Sequence, residues 1–207
     1  DWARKAAELG DHQAAYTLGC CYQYGDGVEQ DYELASAWLH KAAELGNVEA
    51  MHAIADCYYL GEGVEQDYKA AAEWNRKAAE LGLDRAQLNI GELYRDGEGV
   101  EQDYEEAAKW FRKAAEQFFS PAQTALGDLY FNGQGVEQDY KQAVTLYREA
   151  AEQEDPYAQC QLGICYFEGL GVEKDPDLAS ELLRRSAEIG NQKAEEMLKK
   201  YFGEEIE

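Results

Sequence analysis

The 207 residues carry 42 acids against 19 bases, a net charge of −23, and so lack the basic footprint that would neutralise nucleic-acid phosphates. The same field favours basic protein surfaces as partners. No run approaches the roughly 20 apolar residues that a membrane-spanning helix needs, so no membrane insertion is expected.

The chain opens inside a repeating unit. Trp2 and Arg4 stand one period upstream of Trp38 and His40, which leads us to expect a piece of a longer protein, whose lack of a signal peptide says nothing of location. From Gly25 the phrase Gly-Asp-Gly-Val-Glu-Gln-Asp-Tyr begins to recur. Its Val-Glu-(Gln/Lys)-Asp core starts at Val28, Val64, Val100, Val136 and Val172, a constant step of 36 residues. A second phrase, Lys-Ala-Ala-Glu-Leu-Gly from Lys5, returns at Lys41 and Lys77 and, loosened, at Lys113, Glu149 and Arg185. Two phrases locked to one period mean one structural unit copied along the chain, a solenoid. Each unit then buries its apolar face against its neighbours, which predicts one elongated domain over residues 1–207. Its parts are a half repeat 1–10, full repeats 11–46, 47–82, 83–118, 119–154 and 155–190, and a closing half repeat 191–207.

Within a unit, Ala122, Leu126, Leu129 and Tyr130 trace one face of an amphipathic helix. Gly133 ends it, in line with Gly25, Gly61, Gly97 and Gly169. Asp31, Asp67, Asp103, Asp139 and Asp175 are placed as N-caps of a second helix, and Pro176 directly after the last of them fits the first helical position. Ala35, Trp38 and Ala42 face inward; Trp74 and Trp110 repeat the bulky anchor, and Leu146 and Leu182 replace it. Gly19, Ala55, Gly91, Gly127 and Gly163 share a phase at which two helices come close. Cys21, Cys57 and Cys165 occupy the slot of Leu93 and Leu129 and are read as small core hydrophobes. Cys20 and Cys160 lie at other phases, so the five cysteines form no disulfide framework. Unpaired thiols point to the cytoplasm, with the periplasm or secretion left open for a fragment. The last helix ends in a polar face carrying Glu195, Glu196, Lys199 and Lys200, as a terminal repeat requires.

The order small-x-Leu-Gly-x-Leu-Tyr, then Gly-x-Gly-Val-x-x-Asp, then Ala-x-x-Trp-x-x-Lys-Ala-Ala-x-x-Gly resembles the Sel-1-like repeat, a relative of the tetratricopeptide repeat. It departs from that pattern at Phe118 and Glu154, where the closing Gly is absent, and at Pro176. The resemblance implies an all-α, right-handed superhelix of antiparallel helix pairs acting as a protein-interaction scaffold, many bacterial members being adaptors. One cysteine-rich branch, reported to bind β-lactam compounds, carries a disulfide in each repeat with cysteine near the end of the second helix. This chain has Ala43, Ala79, Ala115, Ala151 and Ala187 there, so that association does not carry over.

No catalytic constellation emerges. His12, His40 and His52 fall at three different phases, and Asp26 is matched by Gln134 and Leu170, which removes a ligand from any metal loop in two repeats. Neither enzyme activity, nor a cofactor, nor a metal is expected. The variable face of the first helix is the candidate for partner contact: Tyr16; His52 and Tyr59; Arg85 and Arg95; Phe131; Tyr157, Ile164 and Phe167. The last three are expected to stand exposed together. Helices roughly 10 Å apart would give five copies about 50 Å of face, enough for about 15 residues of extended peptide. The expected function is a scaffold for a protein or peptide, with a basic one favoured by charge. The alternatives are a cysteine-poor relative of the β-lactam-binding proteins and an immunity or inhibitor protein against a secreted toxin.

Overall fold

Asp31 lies in extended backbone and its carboxylate accepts the amide of Leu34, which starts a helix at Tyr32. Asp67, Asp139 and Asp175 repeat the arrangement, each satisfying first-turn amides that have no partner inside the helix. The computed structural model describes residues 2–203, with side chains from Arg4 onward. The side chain of Trp2 and residues 204–207 of the expected closing half repeat lie outside the described residues.

Two compact units divide at Asp103 and Tyr104. The first unit contains α1 (Trp2–Glu8), α2 (His12–Tyr24), α3 (Tyr32–Glu44), α4 (Val48–Leu60), α5 (Tyr68–Glu80) and α6 (Asp84–Asp96). The second contains α7 (Tyr104–Ala115), α8 (Ser120–Asn132), α9 (Tyr140–Ala151), α10 (Pro156–Glu168), α11 (Pro176–Glu188) and α12 (Gln192–Phe202). Both are built of antiparallel helix pairs in the 36-residue repeat read from the sequence: α2 pairs with α3 and α4 with α5, α8 with α9 and α10 with α11. The second helix of each pair also packs on the first helix of the next, as α3 does on α4 and α9 on α10. Among the described residues no helix is long and apolar enough to cross a membrane.

Close packing follows from the small-residue phase. A Cβ on Gly127 would lie 2.6 Å from Tyr147 Cε1, and one on Gly19 would lie 2.7 Å from Leu39 Cγ. The loop between paired helices is pinned by its own sequence. The amide of Asp67 donates to the Tyr58 carbonyl at 2.9 Å, and the Gln66 side chain donates to the Tyr59 carbonyl at 2.8 Å, capping the last turn of α4. The second glycine of Gly-x-Gly has a further task. A Cβ on Gly63, Gly99, Gly135 or Gly171 would fall 1.9–2.3 Å from the backbone carbonyl group of the residue that opens the preceding second helix. Each loop therefore rests on the helix start one repeat upstream, and only glycine allows that approach.

Where the closing Gly is replaced, Phe118 and Glu154 adopt the left-handed conformation themselves, at φ 61° and 64°. The helices before them, α7 and α9, have 12 residues where α3, α5 and α11 have 13. All five cysteines are free thiols. Cys57 and Cys165 are buried as expected of the Leu-like slot, whereas Cys21 is half-buried. Burial pushes the Cys57 and Cys165 thiols up, to about 11 and about 12, so neither is a ready nucleophile.

Candidate functional site

In the first unit, the first helices α2, α4 and α6 stand in sequence, and the polar ends of their side chains meet across the repeats. Asn47, the N-cap of α4, donates to the Gln13 side chain at 3.2 Å; Asn89 on α6 lies 3.4 Å from Asp56 on α4. Two open clefts adjoin along this face and share Asp56. The larger, about 360 Å³, is bordered by Tyr16 and Cys20 of α2, His52 and Asp56 of α4, and Arg85 at the start of α6. The smaller, about 270 Å³, is bordered by Asp56, Tyr59, Asn75, Asn89, Glu92 and Arg95.

The electrostatics of the face are uneven. Burial raises the Asp56 carboxyl above its ordinary range against the opposing pull of His52, whose Nε2 is 3.6 Å away. Burial likewise raises Glu92, which Arg95 approaches only to 3.8 Å. Arg95 is drawn instead to Asp96 at 2.7 Å, and that hydrogen bond holds the Asp96 carboxyl low. The Tyr59 hydroxyl donates to Glu98 at 2.8 Å, and this bond is the main reason its own proton is held to about 12. Burial and a hydrogen bond with Cys20 raise Tyr16 to about 12.

The equivalent face of the second unit is bonded differently. Asp128, at the phase of Asp56, accepts from the Tyr147 hydroxyl at 2.6 Å and from Gln161 at 2.7 Å; Lys193 in turn reaches Gln161 at 2.8 Å. Phe131 packs edge-on against Tyr140 at 5.1 Å. The expectation that Tyr157, Ile164 and Phe167 stand exposed together is corrected here. Only Tyr157 is open to solvent, at 68%. Ile164 packs in a cluster with Met197, Tyr201 and Phe202 of α12, and Phe167 stacks on Tyr201 with ring centroids 3.9 Å apart. The closing half repeat caps the last full repeat with apolar side chains, so that stretch of the face is used for folding. Of the nine candidate residues, Tyr16, His52, Tyr59, Arg85 and Arg95 line the clefts of the first unit, whereas Phe131, Ile164 and Phe167 pack against neighbouring side chains and Tyr157 stays exposed. Among the described residues no group of three or more His, Cys, Asp or Glu side chains could hold a metal ion.

The family model for the Sel1 repeat matches residues 1–11, 12–47, 48–83, 84–117, 120–155 and 156–191. The chain belongs to the Sel1-repeat family. Its fold is similar to that of c5321, a protective antigen of uropathogenic Escherichia coli with an SLR fold, at 38% identity and a TM-score of 0.89 over 97% of this chain. The matched part is 44% of that protein, so this chain spans less than half of its length. A Sel1 repeat protein from Oxalobacter formigenes is 35% identical, with a TM-score of 0.88 over 91% of this chain and 75% of its own. Helicobacter pylori cysteine-rich protein B is matched at 25% identity and a TM-score of 0.51, over 64% of this Sel1-repeat chain and 96% of its own. No curated protein matches.

Within the Sel1 repeats, the second helix adds Asn75 to the residues that line the smaller cleft. It lies on the second helix at the phase of Leu39, Phe111, Tyr147 and Leu183, all fully buried, and is itself only 2% exposed. A short polar side chain in a slot otherwise held by large apolar ones is a signal that the sequence carries.

Proposed function

We propose that this Sel1-repeat chain is a non-enzymatic scaffold that holds a protein or peptide on the first-helix face of its N-terminal unit. The observation that carries this reading is the pair of adjoining clefts across α2, α4 and α6, lined by side chains that differ from repeat to repeat at equivalent phases. Tyr16, Tyr59 and Arg85 supply the aromatic and guanidinium groups that dominate protein contacts. The net charge of −23 steers basic partners toward the chain. Membership of a family whose relatives share the stacked-repeat fold supports the same reading.

A displayed random-peptide library selected on the chain tests it. Enriched peptides should lose binding to a Tyr16→Ser/Tyr59→Ser/Arg85→Ala variant that melts within a few degrees of the parent. Peptides that bind the variant equally well, or a failure to enrich any, would overturn the proposal.

A further inference from the structure

The 36-residue repeat allows each groove position to be compared with its own copies, and the first unit breaks the pattern at two phases. Asn75 replaces a large apolar core residue and is 2% exposed. Its Oδ1 accepts from His52 Nδ1 at 3.1 Å, leaving its Nδ2 at the smaller cleft with no hydrogen-bond partner among the described residues. The shorter side chain leaves open space where its equivalents fill the core.

The second break concerns carboxylates. Asp128 in the second unit accepts two short hydrogen bonds at Oδ1, from Tyr147 and Gln161. Asp56 and Glu92, at the same phase, have only contacts of 3.4 Å or more, from Asn89, His52 and Arg95. Where Tyr147 brings a hydroxyl to Asp128, Asn75 brings none to Asp56. Two half-buried carboxylates are thus left facing a cleft without the donors that the same fold supplies elsewhere, a situation that charge-assisted bonds from outside would relieve. At about 270 Å³ the cleft falls below the roughly 300–1,000 Å³ of small-molecule pockets and suits a single side chain.

We infer that the cleft between Asp56 and Glu92 is a pocket for one cationic side chain, an arginine or lysine of an extended partner segment, with Asn75 Nδ2 donating to that segment. This rests on the scaffold reading above and names the chemistry of its partner. Arginine fits best, because its planar fork can meet two carboxylates at once.

Fluorescein-labelled hepta-arginine, titrated with the full chain in about 150 mM salt, tests it under conditions where long-range attraction is screened beyond about 8 Å. The Asp56→Asn/Glu92→Gln pair should weaken binding by about tenfold or more. The Glu65→Gln/Glu101→Gln pair, which removes the same charge from exposed loops, should leave it unchanged. Equal weakening by both pairs, or no binding by the parent, would overturn the inference. Methylguanidinium followed by NMR supplies a readout that needs no variant: the Asn75 side-chain amide should shift first, and shifts confined to other regions would count against the pocket. Library peptides that need the groove but carry no cation would sink this inference while leaving the scaffold reading intact.

Discussion

Arg76 Nη2 donates to the Tyr94 hydroxyl at 2.6 Å, reaching from the second helix of one repeat to the first helix of the next. The pair recurs with the fold: Arg112 to Tyr130 and Arg148 to Tyr166, both at 3.2 Å, and Arg4 with Tyr22. His40 takes the place of the arginine in one repeat and turns to the Trp74 ring at 5.3 Å. Arg76→Ala should therefore cost about 1 kcal/mol, the usual net worth of such a bond, since the half-buried Tyr94 hydroxyl can find water instead. Urea unfolding measures this, and an unchanged midpoint would show the ladder to be decorative.

Gly99 and Gly46 both hold left-handed backbone but have different surroundings, and the difference predicts unequal costs. A Cβ on Gly99 would lie 2.1 Å from the Tyr68 carbonyl oxygen, whereas one on Gly46 would meet nothing within 4 Å. Their φ values are +69° and +93°, so both substitutions to alanine pay the left-handed penalty of about 1–2 kcal/mol. Gly99→Ala must in addition push α5 and the loop apart. Thermal melting should drop clearly further for Gly99→Ala than for Gly46→Ala; equal drops would refute the close-approach account.

Much of this architecture was legible from spacing. The helix starts, the capping aspartates and the small-residue phase all repeat every 36 residues, and a repeat states its rule several times over. The candidate face was legible only in part. Phases that look equivalent in sequence acquire different neighbours, and the apolar side chains of α12 covered Ile164 and Phe167 because the last full repeat has a half repeat beside it. The task of the second loop glycine was hidden for another reason: its neighbour is a backbone carbonyl 31 residues upstream, which leaves no side-chain signature.

Glu154 sits at φ 64° in the position that closing glycines fill in other repeats. Its side chain is exposed, so Glu154→Gly removes strain without opening a hole. A left-handed non-glycine residue costs about 1–2 kcal/mol, against which the greater freedom of glycine in the unfolded chain takes back about 0.4–1. The net expectation is a gain of a few tenths to about 1 kcal/mol, read as a small rise in melting temperature. A fall would mean that the Glu154 side chain has a role beyond its backbone.

Asp56 gives a pH signature. Burial raises its folded-state carboxyl above the unfolded value of 3.8, so the ionised form is disfavoured by folding. The parent is accordingly destabilised above the folded value, and the penalty disappears as pH falls below 3.8, where both states hold the proton. Asp56→Asn should be more stable than the parent near neutral pH and lose that advantage on acidification. Denaturant melts across the acid range decide it, since an advantage that persisted at low pH would have to come from packing.

Asn75 joins stability to the proposed function. Leu39, Phe111, Tyr147 and Leu183 fill its slot in the other repeats and are fully buried. Asn75→Leu should fill the cleft with apolar surface and remove an amide whose nitrogen has no partner. Fully burying a leucine side chain is worth about 1.5–3 kcal/mol, which bounds the gain, less what His52 loses with its acceptor. The variant should melt at a higher temperature and bind hepta-arginine less well, because the pocket has become core. A polar residue retained in the core at a cost in stability is what a binding site asks of a fold. A variant that gained stability and kept full affinity would show that Asn75 is only a packing defect, and one that lost stability would show that the His52 contact holds the α4–α5 pair together.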